Sequence, residues 1–231
     1  MIFFNNVTKT YPPYITRKEK TVLDNISFKI EEGEFVCLVG RSGAGKTTIL
    51  KLLLGEEKPT SGTVFYKGKD LSEMSNRERC LFRREVGTVF QDYKLLPTKT
   101  VYENIAYAME VTGASDEEVE KSVPEVLDTV GIIEQALNFP HQLSGGEKQR
   151  AAIARALIHE PDVILADEPT GDLDPYNTKE IVELLLKLNK NGTTVILATH
   201  DKEIVNNLAK RVITIKDSEI ISDSKKGRFI L

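Results

Sequence analysis

The chain has 231 residues, 40% hydrophobic and 29% charged, with a formal net charge of −4. That length gives a sizeable core to one domain and leaves room for a subdomain, and the acidic balance argues against a surface built for nucleic acid. No apolar run approaches the ~18 residues of a membrane helix, and two cysteines, Cys37 and Cys80, make no disulfide framework. The expectation is a soluble cytosolic domain that meets a membrane only through a partner.

In chain order, residues 2–7 and 21–31 read as strands, with a turn at Glu32-Gly33. The opening residues have neither the basic start nor the apolar run of a signal peptide. Residues 10–20 carry Pro12, Pro13 and a basic cluster and read as a loop. Tyr11 there offers either an aromatic face for a base or a plain surface contact. Residues 34–39 form an almost wholly apolar strand, in which Cys37 is a small core residue. Gly40-Arg41-Ser42-Gly43-Ala44-Gly45-Lys46-Thr47-Thr48 follows and fits G-x-x-x-x-G-K-[ST], the phosphate-binding loop. A helix over 48–54 closed by Gly55 completes the strand, loop and helix context. The glycines let the backbone curl so that N–H groups point inward, and the helix N-terminus adds partial positive charge. In this arrangement Lys46 reaches the β- and γ-phosphates, the Thr47 hydroxyl holds Mg²⁺ and Thr48 contacts the α-phosphate. The loop by itself selects neither ATP nor GTP and names no reaction.

Further along, residues 63–66 read as a strand, 75–83 as a polar helix and 86–90 as a buried strand ending at Gln91. A glutamine there either ligates Mg²⁺ and positions water or is a plain surface residue. Val119, Val123, Val126, Leu127 and Val130 follow helical spacing behind a Ser115/Glu118 capping box, with Pro124 kinking or restarting the helix. Residues 93–138 therefore read as a helical subdomain inserted into an α/β core. Ser144-Gly145-Gly146-Glu147 opens an apolar helix and offers a second place where exposed N–H groups meet an anion. Residues 162–167 form a buried strand that ends in Asp167 and Glu168, the form of a Walker B segment, with Asp167 in the Mg²⁺ shell and Glu168 as general base. The turn at 171–175 leads to a helix over 176–189. The strand 193–198 ends at His200, which is either structural or placed where open α/β sheets put their ligands. Strands at 211–216 and 219–222 close the domain, and 225–231 reads as a frayed end ahead of a docking strand or a lipid-facing patch.

The phosphate loop, Gln91, Ser144-Gly145-Gly146-Glu147, Asp167-Glu168 and His200 stand in one order. Together they resemble the nucleotide-binding domain of the ATP-binding cassette (ABC) family over essentially the whole chain, and the Ser-Gly-Gly-Glu signature sets that family apart from GTPases and small kinases. The resemblance implies a single α/β domain over 1–231: a RecA-like mixed-sheet core with an N-terminal antiparallel β subdomain from 1–90 and 160–231, and an inserted α-helical subdomain over about 91–159. It implies ATP and Mg²⁺ as cofactors and ATP hydrolysis in a head-to-tail homodimer. Tyr11 then stacks on adenine, and Gly40, Arg41, Ser42, Gly43, Ala44, Gly45, Lys46, Thr47 and Thr48 bind the phosphates. Ser144, Gly145, Gly146 and Glu147 of the second subunit complete the site. Thr47, Gln91 and Asp167 surround Mg²⁺, Glu168 activates water, His200 holds the γ-phosphate, and Asp174 lies at the dimer seam.

Within the family, Phe90-Gln91-Asp92-Tyr93-Lys94-Leu95-Leu96-Pro97 and the residues to Asn104 resemble the FtsE group, ATPases of bacterial cell division that pair with the membrane protein FtsX. That likeness implies an FtsX-like partner, a peripheral place on the cytoplasmic side of the cell membrane at the division site, and regulation of peptidoglycan hydrolysis. Residues 93–97 then belong to a groove for a coupling helix, unless Leu95 and Leu96 pack inside the subdomain. Lipoprotein-releasing and macrolide-export ATPases share the pieces around Asn138-Phe139-Pro140 and 166–171 and form the alternative. Soluble ABC proteins of DNA or ribosomes usually carry a coiled-coil arm or a second cassette, and this sequence has neither. Two features depart from the FtsE pattern: the loop 12–20 is longer and more basic, and Asp172 stands where asparagine is more usual.

Overall fold

Alternation of apolar and polar residues builds the first ladder of the computed structural model, which describes residues 1–13 and 18–229. Strand β1 (Ile2–Tyr11) pairs antiparallel with β2 (Lys20–Ile30), with Ile2 opposite Ile30 and Phe4 opposite Phe28. Strand β4 (Ser61–Tyr66) takes the other edge of β1, and β5 (Lys69–Asp70) extends the sheet to the order β2-β1-β4-β5. Ile2, Phe4, Val7, Leu23, Ile26 and Phe28 are buried together, and the Phe4 and Phe28 rings stack at 4.5 Å. The β1 registers slip on either side of Asn6, which sits at φ 50° as short polar residues tolerate. Gly62 fits against this bulge because a Cβ there would lie 2.1 Å from the Asn6 carbonyl oxygen.

The structure lengthens β1 beyond the expected 2–7. Thr10 and Tyr11, read from sequence as loop, lie in the ladder opposite Thr21 and Lys20. The Thr10 and Thr21 hydroxyls bond at 3.0 Å, and the Thr10 N–H donates to Thr60 Oγ1 at 3.0 Å, so both sides of the strand are tied. The rest of the expected loop and the expected frayed tail lie partly outside the described residues, at 14–17 and 230–231.

Strand β3 (Phe35–Val39) runs parallel to β8 (Thr194–Thr199) on one side and to β9 (Arg211–Lys216) on the other, with β10 (Glu219–Ser224) antiparallel on β9. Every residue of β3 and β8 is buried, which is why neither alternates: β3 is wholly apolar, and β8 is an apolar run from Val195 to Ala198 between two buried threonines. Burial pushes the Cys37 thiol up to about 12 and leaves it a core group. Helix α1 (Lys46–Leu53) follows β3 through the phosphate loop, α2 (Asn76–Phe82) begins at a Ser75/Glu78 capping box, and α7 (Lys202–Leu208) follows β8. These elements make one compact unit, Met1–Arg83 with Thr194–Leu231.

Arg211 clasps this unit. Its guanidinium forks onto Asp223 of β10, with Nε to Oδ1 at 2.7 Å and Nη2 to Oδ2 at 2.6 Å. Its Nη1 also donates to the Lys29 carbonyl at 2.7 Å and to Glu34 Oε2 at 2.9 Å. One cation thereby joins the end of β2, the entry to β3, and the β9–β10 hairpin.

The second unit is Arg84–Thr193. Strands β6 (Val86–Phe90) and β7 (Val163–Asp167) pair parallel, with Phe90 opposite Asp167. Around them stand α3 (Val101–Glu110), α4 (Asp116–Val130), α5 (Gly145–Leu157) and α6 (Pro175–Lys190). Helix α5 seats directly on β6: a Cβ at Gly87 would lie 2.5 Å from the Ala156 carbonyl oxygen. Pro124 neither divides α4 nor restarts it, since one helix runs through it from the Ser115 capping box to a left-handed Gly131. Val119, Val123, Leu127 and Val130 bury one stripe of that helix, and packing with two firm caps outweighs the one hydrogen bond a proline removes. Val126, expected in the stripe, is half-buried.

Arg211→Ala should cost about 2–4 kcal/mol of stability, because it strands two carboxylates and a carbonyl that share one cation. Urea denaturation checks this, and a loss under about 0.5 kcal/mol would remove the clasp from the account of the fold.

Candidate functional site

In the first unit the phosphate loop is held by what crowds it. Gly43 and Gly45 adopt φ 78° and 107°, conformations a side chain strains. A Cβ on Gly45 would also lie 2.7 Å from Leu23 Cδ2 and 3.0 Å from the Val22 carbonyl oxygen, and one on Gly40 would lie 2.7 Å from the Ile215 carbonyl oxygen. Arg41, Ser42 and Gly43 are exposed at the tip, and the Ala44 N–H donates back to the Arg41 carbonyl at 3.0 Å. Lys46 opens α1, is only 6% exposed, and donates from Nζ to the Gly40 carbonyl at 2.8 Å. Thr47 faces outward on the first turn and Thr48 is buried. A cavity of about 330 Å³ adjoins the loop, lined by Arg41, Ser42, Gly43 and Ala44, by Lys20 and Val22 of β2, and by the turn after β9.

Tyr11 and His200 stand in the same unit. The Tyr11 hydroxyl donates to Glu57 Oε2 at 2.7 Å. Burial raises its phenol above the ordinary value, the bond to Glu57 adds to the rise, and Thr48 opposes it. His200 is exposed at the end of β8. The backbone on its C-terminal side is fixed, because the Asp201 N–H donates to Thr199 Oγ1 at 3.0 Å and the Asp201 carboxylate accepts from Glu203 N and Ile204 N at 2.8 and 3.1 Å.

In the second unit, Gln91, the signature and the Walker B turn come together. Gln91 Nε2 donates to Asp172 Oδ1 at 3.3 Å, and its side chain closes on the backbone of Gly171, where a Cβ would lie 2.9 Å away. Asp167 ends β7 opposite Phe90. Glu168 follows at φ 48°, a left-handed conformation unfavourable to glutamate, with its carbonyl taking the Gly171 N–H at 3.1 Å. Ser144 caps α5: its Oγ accepts from Glu147 N at 3.3 Å and donates to Glu147 Oε2 at 2.7 Å, and that carboxylate also takes the Ser144 N–H at 2.8 Å. Gly145 lies beside Leu173 and the Tyr93 hydroxyl, and Gly146 lies against Asn177. Asp174 caps α6 by accepting from Tyr176 N and Asn177 N at 2.9 and 3.0 Å, and its second oxygen takes the Asn177 amide. The Asn177 bonds, the side-chain one foremost, hold the Asp174 carboxyl below its ordinary value.

Every residue named from sequence is thus placed at the end of a strand, in a tight turn or at a helix start. Lys46, Tyr11 and His200 belong to one unit and Gln91, Ser144, Asp167, Glu168 and Asp174 to the other. Three supports escaped the sequence reading. Arg155 donates to the Lys94 and Tyr93 carbonyls at 2.6 and 3.0 Å and holds those two residues at φ 51° and 58°. Asn177 backs Gly146, and Glu57 anchors Tyr11. The capping box Ser144-x-x-Glu147 was there to be read, since it repeats the spacing of Ser115-x-x-Glu118.

The ABC transporter family model matches residues 23–171. The chain belongs to the ABC transporter family. This cassette is 48% identical over 229 residues to the cell division ATP-binding protein FtsE of Bacillus subtilis (strain 168), across 99% of this chain and 98% of that one. It is 49% identical over 209 residues to the FtsE of Streptococcus pneumoniae serotype 2, across 90% and 91% of the two chains. Among solved structures, the ATP-binding cassette MJ0796, captured as a dimer after hydrolysis and bound to ADP and Pi, superposes with a TM-score of 0.88 at 37% identity over 99% of this chain and 100% of its own. The expected fold, a mixed parallel sheet with an antiparallel sheet and helices, is that of these cassettes, and the chain is an ABC-type ATPase.

Gly146→Ala should destabilise the second unit by about 1–3 kcal/mol, since its Cβ would sit 2.0 Å from Asn177 Oδ1. Adding Asn177→Ala should return part of that loss, although the second change alone removes a helix-cap partner. Thermal unfolding of the four proteins reads the cycle, and additive losses would exclude the collision as the cause.

Proposed function

We propose that this chain is the ATP-hydrolysing subunit of an FtsE-type cell-division complex, acting on the cytoplasmic face of the membrane through an FtsX-like partner. The observation that carries the reading is 48% identity to an FtsE protein over 99% of this chain, together with an intact set of cassette residues. No helix among the described residues is long and apolar enough to cross a membrane, so the reading places membrane contact in the partner.

In this mechanism the loop N–H groups from Gly40 to Thr48 and the ammonium of Lys46 neutralise the phosphates of ATP. Tyr11 stacks on the adenine. Glu168 takes a proton from the attacking water, and His200 steadies the γ-phosphate. The N-terminus of α5, with Ser144, Gly145, Gly146 and Glu147, serves a second copy of the chain head to tail, with Asp174 at the seam. The Thr47 hydroxyl, the Gln91 carbonyl oxygen and the Asp167 carboxylate would hold Mg²⁺, since all three are hard oxygen donors of the kind it accepts while it keeps water and phosphate oxygens. Gln91 fits the set because its amide nitrogen is given to Asp172, which leaves the oxygen for a cation. When bound, Mg²⁺ supplies charge neutralisation at the phosphates. Closure of the dimer on ATP and reopening after hydrolysis then form the two-state element a membrane partner reads.

The partner surface proposed is the segment 93–97 with the helical segment 91–159. Asn104 is buried and bonds through its amide to the Leu96, Lys99 and Thr100 carbonyls at 3.1, 3.1 and 2.8 Å, so the segment has a fixed shape. It presents Leu96 at 37% exposure beside a half-buried Leu95.

Glu168→Gln should keep ATP affinity within about threefold and lower kcat at least about 10²-fold, because the base is lost and the phosphate cradle stays. Turnover within tenfold of wild type would refute the role. Lys46→Ala should instead weaken ATP binding itself, read by calorimetry. With Glu168→Gln, ATP and Mg²⁺, a pull-down from detergent-solubilised native membranes should hold an FtsX-type protein. A lipoprotein-release or export permease would overturn the division reading. Leu95→Glu should abolish that capture in a folded protein, and unchanged capture would sink the groove.

A further inference from the structure

Tyr11 is tied down at both ends. Its backbone is the last rung of β1, opposite Lys20. Its hydroxyl donates to Glu57 Oε2 at 2.7 Å, and a carboxylate can only accept, so the phenol has one direction to point. Glu57 is itself fixed to α1, because its N–H donates to the Lys51 carbonyl at 3.4 Å just past the helix end. Lys9 lies two residues before Tyr11 on the same strand face. Its ammonium donates to the Lys58 carbonyl at 2.8 Å, pairs with Glu57 Oε2 at 3.0 Å and lies over the Tyr11 ring, 5.0 Å from its centroid. The Lys9 and Glu57 side chains are 14% and 21% exposed, so the pair is not of the loose surface kind. Lys51 adds a second, longer contact to Glu57 at 3.8 Å. Burial raises the Glu57 carboxyl, but the bonds from Tyr11 and Lys9 outweigh it and hold the group below its ordinary value, ionised at neutral pH.

We propose that Glu57 is a positioning residue for nucleotide binding: it holds the Tyr11 ring in one place for an adenine to stack on, and it ties that ring to the helix whose first turn carries Lys46, Thr47 and Thr48. The proposal rests on the reading of Tyr11 as the base-stacking residue. A ring free to swing between rotamers loses that freedom when a base lands on it. A ring already anchored at the hydroxyl meets the base with that ordering complete, and affinity rises without any contact between Glu57 and the ligand. The contribution is specific to ligands that carry a base, which separates it from any general support Glu57 gives to the end of α1.

The test uses the full chain and two ligands with Mg²⁺, ATP and inorganic tripolyphosphate, which has no base, with affinities read by calorimetry. Glu57→Ala should weaken ATP about fivefold and leave tripolyphosphate unchanged. Glu57→Gln keeps an oxygen acceptor and should restore most of the loss. Tyr11→Phe keeps the ring and removes the anchor, so it should match Glu57→Ala, and Glu57→Ala added to Tyr11→Phe should cost nothing more. Should Glu57→Ala fail to fold, Tyr11→Phe reads the same bond from its other end. Equal losses for the two ligands, an undiminished Glu57→Ala effect in the Tyr11→Phe background, or wild-type ATP affinity in Tyr11→Phe would each overturn the proposal. Tyr11→Ala separates it from the reading beneath it. If Tyr11→Ala leaves ATP affinity unchanged, the stacking role falls and takes the proposal with it. If Tyr11→Ala weakens ATP strongly while Tyr11→Phe does not, only the role of Glu57 falls.

Discussion

The close approach of two strands to the phosphate loop is the constraint from which the rest of the first unit follows. Strand β2 presses on Gly45 through Leu23 and the Val22 carbonyl, and β9 presses on Gly40 through the Ile215 carbonyl. No side chain fits at either place, so the loop can coil tightly enough for α1 to begin at Lys46. The helix start then places Lys46 under the loop on the Gly40 carbonyl, with Thr47 turned outward. Strand β3 carries the loop, and β8 and β9 flank β3 on both edges, which fixes the base from which the loop springs. The fully apolar character of β3 is the cost in sequence of that arrangement: a strand enclosed on both edges and both faces has no position for a charge.

The second unit solves the opposite problem, which is to present N–H groups. The first turn of any α-helix leaves its leading N–H groups without intrahelical partners. In α5 the Ser144 hydroxyl takes the Glu147 N–H, the third of these, while the two before it belong to Gly145 and Gly146. Glycines there make room for Leu173 and Asn177, which pack against the helix start where a side chain would otherwise lie. The Asp174 cap that orders α6 also holds the Asn177 amide. One carboxylate therefore serves the turn after Walker B and the wall behind the signature, so those two motifs are mechanically one piece within the unit.

What could be read from the sequence was local. The loop motif, the apolar strands and the S-x-x-E caps each occupy a few consecutive residues, and each dictates its own geometry. Tyr11 shows the limit. Proline content argued for a loop over 10–20, yet the Thr10–Thr21 hydroxyl bond and the Thr60 contact extend the ladder as far as Tyr11 opposite Lys20, and the Thr60 contact joins residues 50 apart. The restart expected at Pro124 is absent for a related reason, since buried Val123 and Leu127 on either side hold α4 together by packing that a propensity scale does not contain. Arg155 could not have been found at all. Nothing in a helix rich in alanine marks one arginine as the support for two left-handed residues 61 and 62 positions earlier.

Asp172 shows how a departure from a family pattern acquires meaning only from its neighbour. An asparagine at that position offers both a donor and an acceptor, so a facing glutamine amide can sit either way round. A carboxylate accepts and cannot donate. With Asp172 across from it, Gln91 must turn its nitrogen to the carboxylate, and its oxygen is left on the other side. For a residue proposed to offer that oxygen to a cation, the substitution narrows two orientations to the useful one. It also adds a negative charge that raises the Tyr93 phenol, already pushed up by burial, so that Tyr93 stays a neutral hydroxyl beside Gly145. On the proposed role of Gln91, a change that looks like a loss of the family residue is a stricter way of turning the glutamine oxygen toward the cation.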